Sequence, residues 1–91
     1  MIALHLSIRG RVQGVGYRNA MAERAQQLGV AGWVRNRRDG SVEAQLEGEA
    51  QAVQDLLAWA RQGPAFARVD DIAEQTCTAS GAASFARLPT A

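Results

Sequence analysis

The segment with the clearest chemical potential is Gly-Arg-Val-Gln-Gly-Val-Gly-Tyr-Arg, residues 10–18, between a strand pattern and a helix pattern. The first backbone N–H groups of a helix have no partner inside it and lie at the positive end of its dipole. Gly14 and Gly16 let the backbone turn tightly and approach a ligand closely. Arg18 adds a guanidinium that is always charged and matches two phosphate oxygens. The segment therefore predicts a phosphate-binding loop.

The same segment also has a plainer interpretation, in which the glycines only make a strand-to-helix turn and Arg18 is solvated. The run lacks the Lys-Ser/Thr ending of a Walker loop, and its glycine spacing does not match the dinucleotide-binding fingerprint. The residues of this loop alone leave the two interpretations open.

A second candidate is Asn36, near the end of a predicted strand in the segment 32–42, Gly-Trp-Val-Arg-Asn-Arg-Arg-Asp-Gly-Ser-Val. Asn is uncommon in strands, so it either begins the turn and bonds its own backbone or serves a ligand. Its amide offers a donor and an acceptor, enough to orient a water, but it cannot take a proton near neutral pH. Arg35, Arg37 and Arg38 are consistent with a solvated strand edge, and we favour that interpretation for Arg37 and Arg38.

Other residues that often carry chemistry are scattered. His5 lies on the polar face of the first predicted strand, where a solvated role is expected, and the adjacent Asp70 and Asp71 suggest a strand boundary. Cys77 is alone, so it allows no intramolecular disulfide, and no zinc spacing or nucleophile-base pattern is evident. We expect no metal and no cofactor. Catalysis would then rest on positioning and charge stabilisation, with the substrate's own phosphate as proton acceptor and a carboxylate as leaving group.

Hydrophobic spacing predicts the elements that must position these residues. Period-two alternation predicts a strand over residues 2–9, and helical spacing from Tyr17 to Leu28 ends at Gly29. The remaining predicted elements are a hairpin of two strands around Asp39-Gly40, a helix from Glu49 to the stop at Gly63-Pro64, a strand around Val69 to Thr76, and a short final strand anchored by Phe85 and Leu88. The order β-α-β-β-α-β predicts a ferredoxin-like α/β (α+β) sandwich, an antiparallel sheet with two helices on one face.

Composition narrows the function classes. The chain has 91 residues, 47% of them hydrophobic and 21% charged, and a net charge of +1. We expect one domain over residues 1–91, with no large field for nucleic acid or anionic membranes. The absence of a leader pattern or long apolar run predicts a cytoplasmic protein.

The two segments together resemble the signatures of the acylphosphatase family: residues 10–18 match the first, and Gly-Trp-Val-Arg-Asn followed by Asp-Gly-Ser-Val-Glu matches the second. The resemblance continues through Gly48 to Gly63-Pro64 and the 67–69 region. It implies a ferredoxin-like enzyme that hydrolyses acyl phosphates to a carboxylate and inorganic phosphate without a metal ion. Tyr17, where many relatives have Phe, is expected to pack its ring into the core.

The resemblance also implies residue roles. Arg18 would bind phosphate, and Asn36 would orient the attacking water. The backbone amides implied in phosphate binding are those of Gln13, Gly14, Val15, Gly16, Tyr17 and Arg18. The expected partner is a small-molecule acyl phosphate, with phosphate or sulfate as competing anions. A monomer without nucleic-acid or membrane partners is expected.

Two rival functions remain. The first is a non-catalytic anion-binding or regulatory module, because domains resembling acylphosphatase also occur inside larger proteins that act in carbamoyl transfer. The length of the chain, with no attached domain, weighs against it. The second is an RNA-binding domain of the same topology, which needs exposed aromatic residues on its central strands. The corresponding positions here are Ala3, His5 and Ser7 in the first strand and Glu43, Gln45 and Glu47 in the third.

Overall fold

The computed structural model describes residues 1–91 as five strands and two helices. In chain order they are β1 (Ile2–Arg11), α1 (Tyr17–Leu28), β2 (Ala31–Asn36), β3 (Val42–Gly48), α2 (Ala50–Ala60), β4 (Arg68–Thr76) and β5 (Phe85–Arg87). The sheet order is β4-β1-β3-β2-β5, and the first four strands pair antiparallel. The predicted β-α-β-β-α-β order and ferredoxin-like class are confirmed.

The last strand adds one parallel pairing, so the sheet is mixed. β5 lies beside β2, with Phe85 opposite Gly32 and Arg87 opposite Val34. The pairing continues past β5, because the Ala91 N–H donates to the Asn36 carbonyl at 3.0 Å. β2 is therefore an internal strand, and the prediction of a solvated edge at this position is wrong.

The core lies between the sheet and the two helices. Alternate residues of β1 and β3 point into it, including the fully buried Leu6 and Leu46. α1 contributes Tyr17 and Met21, and α2 contributes residues such as Leu56, all fully or almost fully buried. Their burial removes apolar surface from water and fixes the helices against one face of the sheet.

Tyr17 joins the two helices at the point where α1 begins. Its hydroxyl donates to the Ala60 carbonyl at 2.7 Å, and its ring lies 5.5 Å from the ring of Trp59. Burial raises the pKa of the phenol well above its usual range. The prediction that this ring packs in the core is confirmed, and the contact holds the start of α1 in place.

The turn between β2 and β3 forms at Asp39-Gly40, as predicted. Gly40 has φ of 92°, a conformation that glycine adopts without strain. The Asp39 carboxylate accepts hydrogen bonds from the Ser41 hydroxyl at 2.6 Å and from its N–H at 2.9 Å. These bonds from Ser41 lower the pKa of Asp39 and fix the geometry of the turn.

Neither helix combines the length and the apolar character that crossing a membrane requires.

Candidate active site

The loop between β1 and α1 presents unpaired backbone donors. Gly14 has φ of 73°, and Gly16, the N-cap residue just before α1, has φ of 78°. Residues other than glycine rarely adopt such backbone angles, so these two glycines allow the loop its conformation. The N–H groups of residues 13–16 donate no hydrogen bond within the chain, and no side chain caps the helix. The loop thus offers donors and a positive helix end to an anion.

A groove of about 210 Å³ runs along this loop. The residues that line it are Val12, Gly14, Gly16, Tyr17, Arg18, Asn19 and Asn36. Arg18 is half-buried and takes part in none of the ion pairs of the chain. We call this cleft the loop groove. It places an uncommitted guanidinium, free backbone donors and the Asn36 amide around one small space, an arrangement that suits a phosphate group.

Asn36 carries an unpaired acceptor at this groove. It is the last residue of β2 and shares the helix-side face with Val34. Its Oδ1 atom is buried and has no hydrogen-bond partner, so the interpretation that Asn36 bonds its own backbone in the turn is wrong. An unsatisfied buried polar atom costs roughly 1–3 kcal/mol, which makes a bound water or ligand its natural partner.

Gln13 and Val15 lie in the predicted phosphate loop but do not line the groove. The Gln13 side chain donates to the carbonyl of Arg37 at 2.7 Å and to that of Ser41 at 2.8 Å. Val15 packs against the core. The Gln13 side chain therefore ties the loop to the β2–β3 turn and sets their separation. Only the backbone N–H groups of Gln13 and Val15 are left for a ligand.

A cluster on the opposite face of the sheet surrounds Glu43, which is 6% exposed. Its carboxylate lies 2.7 Å from Arg35 Nε, 2.6 Å from Arg37 Nη2 and 2.6 Å from His5 Nε2. Hydrogen bonds from Arg37, then from His5 and Arg35, lower the pKa of Glu43 to about 2, although burial opposes them. We call these four residues the Glu43 cluster.

Sequence reasoning missed this cluster. The prediction that Arg37 is only solvated is wrong, because its guanidinium binds a buried carboxylate. His5 lies on the polar face as predicted, but it is paired with Glu43. The register that places Glu43 opposite Arg35 was the available signal, and it becomes visible only once β2 and β3 are aligned.

The remaining acidic residues do not form a cluster that could hold a metal ion. Asp70 pairs with Arg68 at 3.0 Å, and both Asp70 and Asp71 lie inside β4 rather than at a strand boundary. The pairing of β1 with β4 shifts register here, since Arg9 faces Asp71 while Gly10 faces Val69. Asp70 is thus the extra residue of a bulge, which explains why two polar residues stand together in a strand.

The chain matches one family along most of its length. A family model described as acylphosphatase matches residues 4–86. The chain is 55% identical over 83 residues to the acylphosphatase of Acidovorax sp. (strain JS42), covering 88% of this chain and 86% of that one. It is 50% identical to the acylphosphatase of Nitrobacter hamburgensis, covering 98% and 96%. The crystal structure of acylphosphatase from Bacillus subtilis superposes with a TM-score of 0.93 at 35% identity, covering 97% of this chain and 99% of that one.

Proposed function

The chain belongs to the acylphosphatase family, enzymes that hydrolyse acyl phosphates, and we propose that it performs this hydrolysis in the loop groove. The observation that carries the proposal is the pairing, on one groove, of the uncommitted Arg18 guanidinium with the buried, unpartnered Oδ1 of Asn36. The Arg18 guanidinium suits a phosphate group, and Asn36 Oδ1 suits an attacking water. The products are a carboxylate and inorganic phosphate.

Binding is assigned to Arg18 and the loop amides. The phosphate oxygens accept hydrogen bonds from the Arg18 guanidinium and from the backbone N–H groups of residues 13–18. These donors stand in place before substrate arrives, because glycine conformations and the Gln13 side chain fix the loop. Charge that develops on the transferring phosphoryl group is therefore stabilised without reorganisation.

The water is assigned to Asn36. A water that donates one hydrogen to Asn36 Oδ1 has its oxygen lone pair free to attack phosphorus. The new P–O bond forms as the bond between phosphorus and the acyl oxygen breaks, and the acyl group leaves as a carboxylate. The proton of the water passes to a phosphate oxygen, since an amide cannot take it. A carboxylate needs no protonation to leave, so the reaction is restricted to easy leaving groups such as carboxylates.

The proposal includes hydrolysis without a metal ion or cofactor. The positive charge that the phosphate needs is supplied by Arg18 and by the start of α1. We also propose a cytoplasmic monomer that acts on small acyl phosphates, with phosphate and sulfate as competing anions and without nucleic-acid or membrane partners.

The test is the steady-state hydrolysis of benzoyl phosphate by the wild type and by Arg18→Ala. Arg38→Ala is the matched control, because Arg38 is exposed, outside the groove and in none of the ion pairs. We expect turnover by the wild type and the control, and at least a hundredfold loss in Arg18→Ala, on the order of one removed transition-state donor or more. Turnover by Arg18→Ala equal to that of the wild type would refute the assignment.

A further inference from the structure

Asn36 is held by its neighbours rather than by its own side chain. Its side-chain amide forms no hydrogen bond within the chain, although its backbone carbonyl accepts one from the Ala91 N–H at the end of β2. Side chains alternate along a strand, so those of Arg35 and Arg37 project to the face opposite Asn36. Both guanidiniums reach the same carboxylate, that of Glu43. The residues on either side of Asn36 are thus fastened to one buried anchor.

We propose that Glu43 is a positioning residue for the reaction, which holds Arg35 and Arg37 and thereby fixes the orientation of the Asn36 amide at the water. The inference rests on the proposed function. Glu43 does not line the loop groove and touches no substrate, so its effect passes through β2.

Arg37 is held by two contacts, one through its side chain and one through its backbone. Its guanidinium is held by Glu43 at 2.6 Å, while its carbonyl accepts a hydrogen bond from Gln13 at 2.7 Å. The first contact links the residue that follows β2 to β3. The second links the same residue to the loop between β1 and α1. The position of Asn36 relative to Arg18 is therefore defined from both faces of the sheet. Misplacement of a reacting group by about 1 Å is enough to lower a rate by about a hundredfold.

What distinguishes the contacts of Glu43 is the identity of its partners. A buried carboxylate is costly unless it is paired and its remaining lone pairs accept hydrogen bonds, so several partners are expected. Glu43 has three cationic or hydrogen-bonding partners, two of which flank Asn36 in sequence. Burial calls for partners but not for these particular ones, and the positions of Arg35 and Arg37 on either side of Asn36 support a role in orienting its amide.

Glu47 supplies a matched control. It lies on the same strand and the same face as Glu43 and is 2% exposed. Its carboxylate accepts hydrogen bonds from Ser80, Gly81 and Gln45, none of which neighbours Asn36. Replacing Glu47 by Gln removes an equally buried charge without touching β2 near the groove.

The experiment measures kcat for benzoyl phosphate and Ki for inorganic phosphate in Glu43→Gln, Glu47→Gln, Asn36→Ala and the double variant Asn36→Ala/Glu43→Gln. Each rate is corrected for the folded fraction by circular dichroism. We expect Glu43→Gln to lower kcat about tenfold, part of the loss that a 1 Å misplacement causes, and to leave Ki within a factor of about two. Glu47→Gln should match the wild type. The double variant should equal Asn36→Ala, since Glu43 acts only through the amide.

Three results would overturn the inference. They are an unchanged kcat in Glu43→Gln, an equal loss in Glu47→Gln, or a further loss when Glu43→Gln is added to Asn36→Ala. If Glu43→Gln does not fold, Arg37→Met serves instead, because it removes the contact of Glu43 with Arg37 and keeps its contact with Arg35. A severalfold fall in kcat at constant Ki is then expected, and wild-type kcat would refute the proposal. An unchanged kcat in Asn36→Ala is a different failure, because it removes the water-positioning role itself.

Discussion

Acid should weaken the fold through the protonation of Glu43. Hydrogen bonds from Arg37, His5 and Arg35 hold the pKa of this carboxyl at about 2 in the folded chain, against an ordinary value of 4.5. A folded-state pKa below the unfolded one means that folding favours the ionised form. The stabilisation is complete above about pH 5, declines as the pH falls from there, and is lost near pH 2.

The magnitude follows from the same values. The fall from 4.5 to about 2 in the pKa of Glu43 corresponds to roughly 3 kcal/mol of unfolding free energy, at 1.36 kcal/mol for each pH unit. The side chain of Glu43 is 8% exposed, but those of Arg35 and Arg37 are 34% and 30% exposed, so solvent screening lowers this value toward about 2 kcal/mol. Such a contribution is a large share of the roughly 5–15 kcal/mol that stabilises a small domain.

The assay is urea unfolding followed by circular dichroism between pH 7 and pH 2, on the wild type and Glu43→Gln. We expect the wild type to be more stable at pH 7, and the difference in unfolding free energy to shrink by about 2–3 kcal/mol toward pH 2. Ser7→Ala, which lies on the same face and removes no ionisable group, should keep a constant difference from the wild type. A difference between Glu43→Gln and the wild type that does not change with pH would refute the reasoning.

Four further predictions concern the groove and its support. Arg18→Lys keeps the charge but loses the bidentate fork, so Ki for inorganic phosphate should rise about tenfold; an unchanged Ki would contradict this. Asn36→Ala should lower kcat by roughly a hundredfold while Ki stays the same, and a loss of phosphate binding would argue against a role confined to water. Excess chelator should leave the kcat of the wild type unchanged; loss that a divalent ion restores would overturn metal-independent hydrolysis. Tyr17→Phe leaves the Ala60 carbonyl unpaired, so urea unfolding should show about 1–2 kcal/mol less stability, and full stability would mean that the bond contributes nothing net.

Local patterns predicted most of the fold because each one is set within a short segment. The stripe from Tyr17 to Leu28 and the stop at Gly29 gave α1 its observed limits. Glu49 begins α2 as its cap, accepting hydrogen bonds from the N–H groups of Gln51 and Ala52. Asp39-Gly40 forms the predicted turn. In these places the residues that determine an element lie within that element or at its ends, so a short stretch of sequence is enough to predict it.

The tail was harder to predict because its position depends on distant partners. β5 lies in a segment rich in Ala, Ser and Gly, and the residues before it are held by Glu47, which accepts hydrogen bonds from Ser80 and Gly81. Its pairing with β2 uses backbone groups, which leave no pattern in the sequence. The consequence that β2 is internal was therefore missed.

The candidate site likewise has a part that local sequence predicts and a part that depends on the assembled sheet. Glycine spacing and the following arginine indicated the loop, and the weak strand preference of Asn36 indicated the second group. The burial of Glu43 could not be predicted, because a charged residue that alternates with apolar ones is typical of a solvated face. Its three partners come from β1, β2 and the turn, so the cluster exists only in the assembled sheet.

The most direct test of the central claim is to let the wild type hydrolyse benzoyl phosphate in water enriched in oxygen-18 and to find the label by mass spectrometry. Attack at phosphorus, by a water that Asn36 orients beside the phosphate bound at Arg18, places the label in inorganic phosphate and leaves the benzoate unlabelled. Label in the benzoate would show attack at the carbonyl carbon and would contradict the account.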